Sequence, residues 1–227
     1  MPDYKAIAKR FFQVVFGLLL QVIVFFYAAG TLNVPSGWLY FEVYSVYLLV
    51  NMIIFLKLSP EVIAARSEIK FEKNWDKIFA IVYLICMLLI PAVAGLDLGR
   101  FYWSILGFEF AYLGLVLFVI GAAFSSWSII ENKFFETAVR IKKERGHKVV
   151  SSGPYAIVRH PGYVGIMLIY LASPLIFGSG YASIPAIMLA VAFVFRTYFE
   201  DRMLYEELDG YKEYIQKVKY RLMPGIW

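Results

Sequence analysis

Six apolar runs constrain this chain more than any other feature. Four are long, at about 11–29, 38–58, 78–95 and 104–130. Each meets or nearly meets the roughly 20 residues a helix needs to cross a hydrocarbon core. Two shorter runs, 163–177 and 181–198, are joined by Gly178-Ser179-Gly180, which suits a tight turn because glycine accepts positive φ. They read as a helical hairpin, with kinks at Pro174 and Pro185 that neighbouring helices would rescue. With 61% hydrophobic and 17% charged residues, the chain cannot cover a soluble surface, which argues against a secreted mini-protein, a disordered tail or a free nucleic-acid binder. The expected fold class is all-α: a polytopic membrane helix bundle of five to six spans that includes the C-terminal hairpin. Residues 1–130 read as a four-span membrane region and 131–227 as the region that carries chemistry.

Charge fixes the expected orientation. Of the 22 Lys and Arg residues, only Arg100 falls on the face opposite the N-terminus. The others gather in the N-terminal segment, the connection after the second run, the connection after the fourth run (Lys143 and Arg145 among them) and the tail. Basic residues accumulate in cytoplasmic loops, so both termini and the long connections are expected there. No small-residue cleavage site precedes the first run, which reads as a retained span. The formal net charge of +5 reads as attraction to an anionic membrane face rather than to nucleic acid. One cysteine, Cys86, rules out an intrachain disulfide and reads as an inert core residue. Two histidines, His147 and His160, fall short of the about four ligands a zinc site takes, so no metal is expected.

Polar chemistry therefore concentrates after the fourth run. Phe134, Ala138 and Ile141 share a helical stripe, and Glu136 and Arg140 stand i, i+4, which predicts a juxtamembrane helix. The stretch His147-Lys148-Val149-Val150-Ser151-Ser152-Gly153-Pro154-Tyr155 then breaks any helix. Arg159 and His160 follow, and Pro161 is suited to start the next helix because its first position needs no amide donor. Free amides at that start would favour an anionic group. The hairpin returns Arg196, Glu200 and Asp201 to the same face, and ionisable groups at a span's edge mark a functional site. Beyond them, Phe199, Leu204, Leu208, Tyr211, Ile215, Val218 and Leu222 recur at helical steps, predicting a continuous amphipathic C-terminal helix. The result is a mixed-charge pocket at the membrane surface, suited to a zwitterionic cofactor on one side and a lipid on the other.

At these residues the chain resembles the isoprenylcysteine carboxyl methyltransferases and the related phospholipid N-methyltransferases. The resemblance rests on an ordered set: His147, Gly153, Tyr155, Arg159, His160, Pro161, Tyr163, Gly165, Arg196, Glu200 and Asp201. The tail YKEYIQKVKYRLMPGIW also resembles bacterial-type members. The likeness spans about residues 130–227; the first three spans match only in being apolar. It implies an integral membrane enzyme that uses S-adenosyl-L-methionine. By that resemblance His147, Val150, Gly153, Pro154, Tyr155, Arg159, His160, Pro161, Tyr163, Glu200 and Asp201 hold the cofactor, and Arg196 and Glu200 stand nearest the reacting groups. The family usually carries two glutamates where this chain has Glu200-Asp201, so the shorter Asp201 is expected to make an altered contact.

The chemistry agrees with that implication. The only GxG, at Gly178, lies in the hairpin turn and not after a strand, so it is no nucleotide loop. An arginine can pair with the cofactor's carboxylate, an acidic residue with its amino group, and aromatic faces with a sulfonium. The expected acceptor is a lipid or lipidated small molecule. A carboxylate acceptor needs no base, whereas an amine must lose a proton, which Glu200 could take. Two other readings compete: an NADPH-dependent membrane reductase of the sterol-reductase type, and a non-catalytic membrane binding protein.

Overall fold

The computed structural model describes residues 3–142 and 146–227. Lys143 and Arg145 of the basic connection lie outside the described residues. Among the described residues the regular structure is helical: α1 (Tyr4–Ala29), α2 (Pro35–Leu58), α3 (Pro60–Arg66), α4 (Asn74–Leu96), α5 (Phe108–Glu131), α6 (Pro161–Phe177), α7 (Ser183–Glu207) and α8 (Tyr211–Lys217). Helices α1, α2, α5 and α7, and α4 with the π-turn that extends it to Phe101, make five that are long and apolar enough to cross a membrane. Local chemistry sets their ends. Asp3 accepts the Ala6 amide at 3.0 Å to start α1, and prolines open α2, α3 and α6, where no amide donor is needed.

The hairpin of α6 and α7 is the centre of the bundle. At 17 residues α6 is roughly 25 Å long. Its end reaches the α4–α5 connection: Leu106 donates its amide to Gly178 O at 2.9 Å, and Gly180 donates to Ser104 O at 2.9 Å. The turn thus lies at the end of the bundle opposite the basic connections. There Asp97, fully buried, accepts from the Ser179 hydroxyl at 2.6 Å and from the Ser104 amide at 2.9 Å. These bonds staple the hairpin turn to the π-turn Asp97–Phe101. Phe177 packs into an aromatic cluster with Phe25 and Tyr40, ring centroids 5.0 and 4.1 Å away, so α1 and α2 grip the same end.

Helices α5 and α6 approach at backbone distance. A Cβ placed on Gly165 would lie 2.5 Å from the Ser125 amide nitrogen, and one on Gly121 would lie 2.7 Å from Gly165 O. Neither neighbour is a flexible side chain that can yield. Small residues permit this contact between membrane helices. Gly165→Val is expected to force the helices apart and cost about 1–3 kcal/mol or more. A lowered thermal unfolding midpoint of the purified variant in detergent checks it.

Three expectations are corrected. Residues 134–141 form no helix; they run as turn and extended chain. Side chains on two other helices take up their backbone groups. Asp76 of α4 accepts the Val139 amide at 2.7 Å, and Arg196 of α7 donates to Thr137 O at 2.8 Å. Pro185 is no kink, because it sits in the first turn of α7, where its missing donor is not needed. The tail is not one helix either. α7 ends at Glu207, Gly210 turns the chain at φ +80°, and α8 follows. Leu208, Tyr211, Tyr214 and Val218 form a small buried cluster, whereas Phe199 is 40% exposed.

Candidate active site

At the basic end, residues 132–140 and 147–160, the start of α6, the end of α7 and the tail line a pocket open to solvent, with about 730 Å³ of space counted out to its mouth. Of the residues singled out in the sequence, His147, Val150, Tyr155, Arg159, His160, Tyr163 and Glu200 line it. Gly153, Pro154 and Pro161 shape its walls from outside the lining. Gly153 has φ +56°, a left-handed conformation that a side chain resists, and it opens the 3-10 turn Gly153–Ala156 that places Tyr155. The Tyr155 hydroxyl accepts from Asn132 Nδ2 at 3.2 Å, and its carbonyl accepts from the Tyr214 hydroxyl at 2.6 Å. Burial pushes the Tyr155 and Tyr214 phenols well above their ordinary range, so both stay neutral. His147 stacks on Phe134 with centroids 4.3 Å apart, and its Nδ1 accepts the Lys142 amide at 3.4 Å.

Asp201 is a hub behind this cavity. Arg159 donates to it through two nitrogens, Nε to Oδ1 at 2.8 Å and Nη2 to Oδ2 at 3.0 Å. Arg221 Nε adds 2.8 Å to Oδ2 and the Tyr211 hydroxyl 2.7 Å to Oδ1, while His160 Nε2 stands 3.3 Å from Oδ1. The remaining nitrogen of Arg159 donates to Val218 O and Lys219 O, each at 3.0 Å. Arginine and aspartate thus satisfy one another at the root of the site. The two amides just before α6 bond to the tail: Arg159 donates to Tyr220 O at 2.9 Å and His160 to Arg221 O at 3.0 Å. Tail backbone thus ties down the residues that lead into α6.

Glu200 differs from its neighbour. It is half-buried, lines the cavity and accepts a hydrogen bond from the Tyr163 hydroxyl. Among the described residues no cation pairs with it. Around it stand the rings of Phe134, Tyr155, Tyr163, Tyr211 and Tyr214. The space therefore offers one uncompensated carboxylate in an aromatic box, a setting that attracts a cation.

Arg196 faces a second cavity. A cleft of about 1640 Å³ runs between α1 and α4 and is lined by Phe16, Leu84, Phe79, Tyr163 and Arg196. Phe16 and Leu84 are 68% and 51% exposed, so its rim meets the apolar perimeter of the bundle. The Arg196 guanidinium lies 4.3 Å from the Phe79 ring centroid and 5.2 Å from that of Tyr163. Its Nη2 stands 3.0 Å from Asp76 Oδ1, and its Nε is buried with no hydrogen-bond partner. Tyr163 is thus a shared wall, its hydroxyl on Glu200 and its ring under Arg196. Sequence reading missed Asp76, Tyr211, Tyr214 and Arg221. Asp76 carried one signal, an acid just inside the start of a span, where burial demands a cationic partner.

Part of the chain is similar to known methyltransferases. Residues 110–209 match the family model of phospholipid methyltransferase. The probable protein-S-isoprenylcysteine O-methyltransferase of Oryza sativa subsp. indica is 29% identical over 125 residues, covering 52% of this chain and 60% of that protein. Protein-S-isoprenylcysteine O-methyltransferase B of Arabidopsis thaliana is 29% identical over 113 residues, 46% of this chain and 55% of its own. The chain thus spans about 60% of the length of the rice relative. The solved eukaryotic intramembrane Ras methyltransferase, isoprenylcysteine carboxyl methyltransferase, superposes with a TM-score of 0.58 at 21% identity, covering 92% of this chain and 74% of that one. That likeness gives the fold: an integral membrane helix bundle. The matched residues 110–209 hold most of α5, all of α6 and α7 and the greater part of the first cavity's lining, so the similarity to phospholipid methyltransferases falls on the part of the chain that builds the site.

Proposed function

We propose that this chain is a membrane methyltransferase that moves a methyl group from S-adenosyl-L-methionine to a lipid or lipidated acceptor. The observation that carries the reading is the shared Tyr163 wall, with a lone carboxylate on the water side and an arginine on the apolar side. The first cavity fits the donor in chemistry. The uncompensated Glu200 and the aromatic rings suit the donor's amino and sulfonium groups, and Arg140 and Lys148 on the lining suit its carboxylate. When bound, the donor supplies an electrophilic methyl group. His147, Val150, Tyr155, His160 and Tyr163 enclose it on this reading, while Gly153, Pro154 and Pro161 shape the loop around it. Arg159 and Asp201 hold that loop to α7 and the tail rather than the donor itself.

The acceptor enters the cleft between α1 and α4 with its apolar chain toward the bilayer. Arg196, held in place by Asp76 and Thr137, orients its polar end beside Tyr163. Positioning of the two reactants supplies most of the rate, and well-oriented pairs gain about 7–11 kcal/mol this way. Glu200 binds the donor and, for an amine acceptor, takes the proton. The basic end faces the cytoplasm, by the distribution of Lys and Arg.

Transfer of labelled methyl from S-adenosyl-L-methionine to fractionated host membranes tests the reading, with a prenylated cysteine and phosphatidylethanolamine as defined acceptors. Methyl incorporation into a lipid fraction is expected. No incorporation into any fraction, with no donor bound by the purified chain, would falsify it. Glu200→Gln is expected to weaken donor binding about 10-fold or more, since it removes a charge-assisted contact worth about 1.5–3 kcal/mol. Isothermal titration of the variant reads this directly.

A further inference from the structure

The apolar cleft holds two more arginines, Arg10 of α1 and Arg66 at the end of α3, and neither takes part in the reading above. The two also line a smaller neighbouring hollow bounded by Tyr47 and Asn51, so they stand together at one wall. Among the described residues, no carboxylate pairs with either. Arg66 Nε is buried with no hydrogen-bond partner, and the contact of its guanidinium is the Phe135 ring, 5.4 Å from the centroid. Among the described residues, Arg10 hydrogen-bonds to the Gln13 side-chain oxygen alone, at 3.4 Å. Burial and the neighbouring Arg10 charge push the Arg66 guanidinium down to about 10, still protonated at neutral pH.

Two partly buried cations without a counter-charge are costly, because the low-dielectric surroundings repay no part of their lost hydration. Elsewhere among the described residues the buried arginines are compensated: Arg159 by Asp201 and Arg196 by Asp76. The Arg10–Arg66 pair is the exception, and it opens into a cleft whose other walls are mostly apolar. Glu136, a carboxylate on the same cleft wall, is already paired with Arg140 and Lys142, which leaves the missing charge to what fills the cleft.

We infer that Arg10 and Arg66 form a binding site for the anionic headgroup of an amphiphile whose apolar chain occupies the cleft between α1 and α4. The inference shares with the proposed function only the reading of that cleft as an amphiphile site; it does not require methyl transfer. A headgroup there lies along one wall with Phe135 and Tyr163, whose ring centroids are 6.0 Å apart, and Arg196 sits over the Tyr163 ring. The bound molecule thus meets cations at two places: an anchor at Arg10 and Arg66, and Arg196 beside the shared wall. An amphiphile with a negative group separate from its reacting group fits two cation sites better than one with a single polar end.

The purified full chain in neutral detergent is titrated with dioctanoyl phosphatidylglycerol, with uncharged dioctanoylglycerol and with inorganic phosphate, all without methyl donor. The phosphatidylglycerol is expected to bind and to raise the unfolding midpoint, and the two other probes to bind at least ~10-fold more weakly, since charge-assisted arginine contacts and chain burial both contribute. The double variant Arg10→Gln, Arg66→Gln is expected to lose phosphatidylglycerol affinity ~10-fold or more, while Lys57→Gln, exposed and outside the cleft, leaves it unchanged. Without ligand the double variant should unfold no earlier than the wild type, because it removes unpaired charge. Equal binding of the charged and uncharged lipids, equal binding of inorganic phosphate, or wild-type affinity in the double variant each overturn the inference. Donor binding in the first cavity, measured on the same samples, separates the two claims. Its absence from the wild type sinks the methyl-transfer reading and leaves the anion site standing.

Discussion

Asp201→Ala should be the most damaging single substitution in the chain. It removes the acceptor for Arg159, Arg221 and Tyr211 at once. Arg159 is then left buried, with two of its nitrogens facing an apolar gap. Breaking a buried pair on one side costs about 3–5 kcal/mol, a large part of the stability of any domain. The loss is also topological, because the hub joins the start of α6, the end of α7 and the tail. Purified variant protein should show a sharply lowered unfolding midpoint and early proteolysis after residue 207, with donor binding lost as a consequence. Asp201→Glu keeps the charge and adds one methylene; overpacking of that size costs about 1–3 kcal/mol, so its loss should be smaller. If the alanine variant unfolds within a degree or two of the wild type, the hub is not what holds the tail to the bundle.

Arg196→Lys is the second. Lysine keeps the charge that Asp76 needs, so the fold should survive. It cannot reproduce the planar fork that meets Asp76, Thr137 O and the Phe79 and Tyr163 rings together. Orientation of the acceptor should fail while the donor cavity stays intact. The expected pattern is a fall in kcat of about 10²–10³ with donor affinity within about twofold, comparable to losing one preorganised donor at a transition state. A matched loss of donor affinity would instead place Arg196 on the donor's side of Tyr163.

The spans were legible because a run of apolar residues long enough to cross a bilayer has few other uses. The loop from His147 to Tyr163 was legible for a related reason: ionisable and aromatic groups at a membrane surface carry a cost that demands a role. What escaped was everything settled by contacts between distant segments. The stripe of Phe134, Ala138 and Ile141 has helical spacing, yet Asp76 and Arg196 supply hydrogen bonds that favour extended chain there. No local pattern encodes that competition. Asp76 lies 63 positions from Val139, the residue whose amide it holds. Likewise Arg159 reads from sequence as a ligand for an incoming anion, and only the fold reveals that Asp201 already fills that place. Tyr211 reads from sequence as one member of the apolar stripe of a continuous helix, and Tyr214 and Arg221 carry no signal of their own; Gly210 breaks that helix, and the chain beyond it brings all three toward Tyr155 and Asp201.

The Tyr163 wall has a kinetic meaning. On the proposed reading it separates a compartment filled from water from one filled from the bilayer, so the two substrates are counted on different scales. Donor supply follows molarity, whereas acceptor supply follows mole fraction in the surface. Diluting the membrane with inert lipid should therefore slow turnover at constant bulk acceptor, and adding more vesicles of fixed composition should not restore it. A water-soluble competitor of the donor should in turn be insensitive to how crowded the bilayer is with acceptor.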